Sequence, residues 1–234
     1  MRTPDRRSFL TGLSLAGVVV ALGGCSRTTS ARAPVEPISP AMSYAGSGGG
    51  YGAMQDRYPI AAIDTSRLNP VYLRRQVPYS GKEPPGTIIV DPQAKFLYLV
   101  QPGGTAMRYG VGVGKQGFSW SGVATINSKQ EWPDWYPPKE MIERRPDIKP
   151  QLTKLQSGDG VAGGLSNPLG ARAMYLWQNG KDTLYRIHGT LEPYSIGTNV
   201  SSGCIRMINQ DAIDLYNRIP VGTKVVVLGS GASV

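Results

Sequence analysis

Thr87-Ile88-Ile89-Val90-Asp91-Pro92-Gln93-Ala94-Lys95-Phe96-Leu97-Tyr98-Leu99-Val100 places two β-branched and aromatic runs on either side of a turn-like Asp-Pro-Gln-Ala-Lys. Runs of this composition a few residues apart predict a β-hairpin. Pro102-Gly103-Gly104 ends the second run, and Met107 to Val113 continues the pattern. Further on, Met174-Tyr175-Leu176-Trp177 and Leu184-Tyr185-Arg186-Ile187 flank Asn179-Gly180. That dipeptide favours a tight hairpin turn, and Trp177 is expected in the core. Thr223 to Leu228 reads as a closing buried strand. Two short helices are expected: Lys139 to Arg145, stopped at Pro146, and Asp211 to Ile219, with Asn209 as its N-cap. Short strands, Gly-rich turns and little helix predict a mainly β sandwich or barrel.

Composition narrows the possibilities. The chain has 234 residues, 40% of them hydrophobic and only 18% charged, which argues against full disorder. Its 30 Gly and 19 Pro argue against a helical bundle. Two cysteines cannot form a disulfide framework, and one histidine with two distant cysteines cannot assemble a zinc cluster, so no metal site is expected. The net charge of +9 favours anionic partners without choosing among them. Gly112-Val113-Gly114-Lys115-Gln116-Gly117 matches a dinucleotide-binding pattern, yet Phe118-Ser119-Trp120-Ser121-Gly122 cannot open the helix that phosphate binding needs. Nucleotide cofactors are therefore not expected. Nor is nucleic-acid binding, because the basic residues form no cluster. The Trp132-Pro133-Asp134-Trp135-Tyr136-Pro137-Pro138 stretch is too Pro-rich for a central strand and reads as a loop able to wall a groove.

The N-terminus reads as an export address. Residues 1–24 carry Arg2, Arg6 and Arg7 before an apolar run from Leu10 to Leu22, with Arg6-Arg7-Ser8-Phe9-Leu10 like a twin-arginine signal. Leu22-Gly23-Gly24-Cys25 resembles a bacterial lipobox, in which Cys25 is lipidated and starts the mature chain. Residues 25–57 read as a flexible Pro/Gly/Ser linker, 58–85 as an extended lead-in and 230–234 as a tail. The expected location is the periplasm or cell envelope, on a membrane through that lipid.

Chemistry concentrates in two segments, Arg186-Ile187-His188-Gly189-Thr190 and Val200-Ser201-Ser202-Gly203-Cys204-Ile205-Arg206-Met207. The chain's only histidine ends a strand at a Gly turn, and its only cysteine besides the expected anchor Cys25 follows a Ser-Ser-Gly turn. A thiol needs a base or a positive neighbour to act as a nucleophile near neutral pH. His188 is the available base, Arg206 adds positive potential, and Gly203 permits a sharp turn beside the sulfur. Residue types alone leave open the alternative of a buried structural Cys and a packed His.

His188-Gly189-Thr190 followed by Ser-Ser-Gly-Cys-Ile-Arg-Met resembles the signature of the YkuD-type L,D-transpeptidase catalytic domain. Thr87 to Val90, Phe96 to Val100 and Tyr109 to Lys115 resemble that family's opening strands, Asn167 to Met174 the stretch before its histidine, and Asp211 to Leu228 its closing helix and strand. The resemblance spans residues 86–229 and implies a β-sandwich of the L,D-transpeptidase type with one or two short helices. It implies acyl transfer on peptidoglycan stem peptides without a cofactor. Cys204 would be the nucleophile, His188 the base, the Gly189 carbonyl the orienter of the imidazole, and the Gly203 and Cys204 amides the oxyanion donors. Arg206 would contact substrate or brace the loop and Ser202 would contact substrate, while Trp135, in the groove-walling loop read above, is a further candidate contact. Ser202 stands where many members carry a second His, and Phe118 to Gly122 replaces the family's usual Thr-Pro-x-Gly. An L,D-carboxypeptidase using water as acceptor and a non-catalytic wall-binding lipoprotein are the alternatives.

Overall fold

The structure, a computed structural model, describes residues 50–114, 120–201 and 203–234. The expected leader, Cys25, most of the linker and Ser202 lie outside the described residues. The strands are β1 Arg75–Pro78, β2 Ile88–Asp91, β3 Phe96–Gln101, β4 Thr105–Gly110, β5 Gly112–Gly114, β6 Gly122–Glu131 and β7 Thr153–Leu155. They continue with β8 Gly158–Gly160, β9 Arg172–Gln178, β10 Lys181–His188, β11 Asn199–Ser201, β12 Ile205–Arg206 and β13 Lys224–Val227. The helices are α1 Lys139–Arg144 and α2 Asn209–Arg218.

Among the described residues, eleven strands form one mixed sheet in the order β1-β4-β3-β2-β13-β6-β9-β10-β12-β5-β11, while β7 and β8 make a separate ribbon. The mainly β architecture with two short helices agrees with the sequence reading. Both expected hairpins form for local reasons. Asp91 Oδ1 accepts from the amides of Gln93 (3.0 Å) and Ala94 (2.9 Å), an Asx turn that reverses the chain between β2 and β3. Between β9 and β10, Asn179 and Gly180 take φ of +51° and +74°, as a twist-matched two-residue turn requires. The longest strand, β6, carries no strong β signal, since its stretch Gly-Val-Ala-Thr-Ile-Asn-Ser-Lys-Gln-Glu is largely polar. Its inward pair Ala124 and Ile126 is buried while Val123 is exposed, and β9 and β13 supply partners on both edges.

The main core gathers Ile88, Leu97, Tyr109, Ile126, Met174, Leu176, Ile187, Met207, Leu215 and Val225. Burying each such side chain contributes roughly 1.5–3 kcal/mol before the entropy of ordering it is counted. Trp177, expected in this core, is only half-buried, whereas Trp132 is buried with Ile60, Ala171 and Ile213. Helix α2 also departs from expectation. It begins at Asn209, its N-cap is Ile208, and no side chain caps it.

The upstream segment is more than a lead-in, and packing begins inside the stretch expected as linker. Tyr51 is buried with Leu68, Ile196 and Ile208, and the Tyr51 hydroxyl donates to Asp211 (3.0 Å). Strand β1 pairs antiparallel with β4. Ile196 belongs to the loop joining the His188 turn to the Cys204 turn, so this segment backs the loop that separates the two candidate reactive residues.

Candidate active site

Strands β10 and β12 run parallel with Ile187 opposite Ile205 and His188 opposite Arg206. Side chains alternate across a strand. Buried Ile187 and Ile205 therefore share one face, and His188, Arg206 and, one step earlier, Arg186 and Cys204 share the other. The register thus sets the Cys204 turn beside the end of the His188 strand, with the two residues diagonal across the pairing. The backbone of Arg186 hydrogen-bonds the Cys204 sulfur. On its other edge β12 pairs with β5.

His188 is buried, and its Nδ1 lies 2.5 Å from the Gly189 carbonyl oxygen. A carbonyl only accepts, so Nδ1 carries the proton and Nε2 keeps its lone pair. Burial pushes the imidazole pKa down to about 4, Gly189 and Leu169 carbonyls oppose that, and the Arg206 and Arg186 charges add to it. Burial likewise raises the Cys204 thiol above its ordinary value of 9.0, with the Arg186 amide and the charges of Arg186 and Arg206 pulling the other way. The two shifts run in opposite directions, and both oppose a resting thiolate–imidazolium pair.

Gly203 has φ +130°, a conformation that disfavours side chains, and a Cβ there would meet the Tyr185 ring at 2.9 Å. Tyr185 in turn stacks on Trp120, with ring centroids 5.2 Å apart. The aromatic pair covering the Cys204 turn was not anticipated from the sequence, because Trp120 and Tyr185 are far apart along the chain. Arg206 forms a 2.7 Å ion pair with Glu192, which holds the loop after His188. Trp135 is half-buried and tied through two 2.9 Å backbone hydrogen bonds to Val161, in the loop beside the β7–β8 ribbon. Among the described residues no group of His, Cys, Asp and Glu is placed to hold a metal. No helix there is long and apolar enough to cross a membrane.

A mixed sheet that carries a partly buried Cys after one Gly turn and a buried His before another defines the architecture of this site. Residues 85–227 match the family model of the L,D-transpeptidase catalytic domain. The chain belongs to that family, whose members act on peptidoglycan peptides. It is 31% identical over 150 residues to the probable L,D-transpeptidase ErfK/SrfK of Escherichia coli, covering 61% of this chain and 44% of that protein. It is 38% identical over 108 residues to a putative L,D-transpeptidase of Fuscovulum blasticum, covering 46% and 49%. The chain thus spans under half the length of these curated relatives. A solved Brucella melitensis structure described as a probable carnitine operon oxidoreductase is 50% identical and covers 70% of this chain and 99% of that one, with a TM-score of 0.47. An L,D-transpeptidase from Mycobacterium smegmatis is 19% identical, covering 61% and 58%, with a TM-score of 0.44.

Proposed function

We propose that this chain transfers acyl groups between peptidoglycan stem peptides through a Cys204 thioester. What supports this reading is the β10–β12 register, which sets the Cys204 turn diagonally across from His188, and the commitment of the His188 Nδ1 proton to the Gly189 carbonyl, which leaves Nε2 as the proton acceptor. Cys204 attacks the carbonyl joining a diamino acid to the terminal D-Ala of a tetrapeptide stem. His188 takes the thiol proton and returns it to the departing amine, so D-Ala leaves and a thioester remains. A side-chain amine of a second stem then attacks the thioester, gives its proton to His188, and regenerates the thiol. The Gly203 and Cys204 amides serve as oxyanion donors. Arg206, Ser202 and Trp135 are assigned to substrate contact, and Arg206 also braces the loop through Glu192.

The full chain incubated with tetrapeptide muropeptides should release D-Ala and yield cross-linked dimers by mass spectrometry, and both products should vanish in Cys204→Ser. Release of D-Ala without dimers would make water the acceptor. Products surviving in Cys204→Ser would remove the nucleophile. Export and lipidation at Cys25 belong to the same proposal. A fatty-acid label that persists in Cys25→Ala would refute the anchor.

A further inference from the structure

Asn209 sits at the start of α2, far in sequence from His188, and its side chain does not cap the helix. Its Oδ1 instead accepts two backbone N–H groups, from Ala171 (3.0 Å) and from Thr190 (3.2 Å). The Thr190 N–H and the Gly189 C=O belong to one planar trans peptide, so they point in opposite directions. Fixing one fixes the other, and the Gly189 oxygen is the acceptor for His188 Nδ1.

The rest of the turn is equally committed. The Gly189 N–H donates to the Arg172 carbonyl (2.9 Å), and the Gly170 N–H donates to Asn167 (3.0 Å). That second bond pins the peptide whose Leu169 carbonyl also supports the imidazole. Gly170 and Gly189 face Asn209 closely enough that a Cβ on either would overlap its Oδ1. Both glycines are thus required by the approach of one side-chain oxygen, an arrangement that serves the two backbone strips on either side of it.

We propose that Asn209 is a positioning residue for the proposed acyl transfer: by holding the Gly189–Thr190 peptide it keeps His188 in the tautomer that leaves Nε2 free to take the Cys204 proton. The inference rests on the function proposed above, but its first readout does not. His188 is the only histidine in the chain, so ¹⁵N NMR of the labelled imidazole reports its tautomer without ambiguity. Wild type should show Nδ1–H alone. Asn209→Ala should show a mixture of tautomers and lower kcat by about a hundredfold, the cost of a misplaced reacting group, with little change in KM.

Asn209→Asp keeps the acceptor and guards against misfolding of the alanine variant. It should retain the Nδ1–H tautomer and most of kcat at high pH. The new carboxylate, opposed by the Arg206 and Arg186 charges facing the ring, should move the acid limb of the rate profile upward. An Asn209→Ala protein with only the Nδ1–H tautomer and wild-type kcat would overturn the proposal. So would an Asn209→Asp protein that has lost the Nδ1–H tautomer. A tautomer shift in Asn209→Ala, in a protein whose wild type neither releases D-Ala nor forms dimers, supports the positioning role and refutes only the proposed function.

Discussion

Titrating Cys204 distinguishes a resting thiolate from a thiol deprotonated only during attack. Burial holds the His188 pKa at about 4 and the thiol above 9.0. The two shifts run in opposite directions, so each makes the imidazolium–thiolate pair less favourable, by about 1.4 kcal/mol for every pK unit by which they separate the groups. The attraction between the two charges opposes this, weakened by the effective dielectric of about 20 at such sites. The neutral pair is the resting form that both shifts favour. In a Cys25→Ala background, iodoacetamide alkylation followed by intact mass should therefore rise about tenfold per pH unit up to about pH 8, because it follows the thiolate fraction. D-Ala release should instead stay level from about pH 5 to about pH 8. It should fall only as His188 is protonated near about pH 4, since general-base transfer needs neutral imidazole and never needs a stable thiolate. An alkylation plateau below about pH 7, or an acid limb of turnover near the ordinary histidine value of 6.5, would refute this reasoning.

Three further outcomes are expected. Gly203→Ala should lower D-Ala release by at least about tenfold while the chain still folds, because the new Cβ must displace the Tyr185 ring or change a φ of +130° beside the nucleophile; unchanged turnover would show that this turn tolerates a side chain. Asp211 is fully buried, and burial, opposed by Arg74 and the Tyr51 hydroxyl, raises its pKa from 3.8 to about 7. The folded state then binds the extra proton between those values, so this group's stabilising contribution is complete below the unfolded pKa and is lost as pH rises toward about 7, at up to about 1.4 kcal/mol per unit. Urea melts of Asp211→Asn should lack that slope, and an identical pH dependence in wild type and variant would contradict the assignment. Leu68→Ala should cost about 2–4 kcal/mol in urea unfolding, because Leu68 is buried against Ile196 and Ile208; a loss below about 0.5 kcal/mol would mean that the segment before residue 85 packs only loosely.

The β-rich runs at 87–100 and 174–187 determined two hairpins of the sheet, because hairpin turns act through residues a few positions apart. Asp91 bonds its own turn, and Asn179-Gly180 adopts the positive φ that its composition favours. His188 and Cys204 were legible as the candidate pair because His188 is the only histidine and Cys204 the only cysteine besides the expected anchor Cys25. Strand β6 was not legible, since its stability comes from neighbours on both edges and not from its own polar residues. The sequence likewise names His188 as the base for the Cys204 thiol, whereas burial, a property of the assembled sheet, moves the two pKa values in opposite directions. The role of Asn209 shows the same division. A helix-start asparagine reads locally as a cap, and only the packing of α2 beneath the turns at 169–171 and 189–190 gives its oxygen two distant N–H groups to accept. Local hydrogen bonding is encoded within a few residues, but the burial and cross-chain contacts that tune this site exist only once the sheet has closed over them.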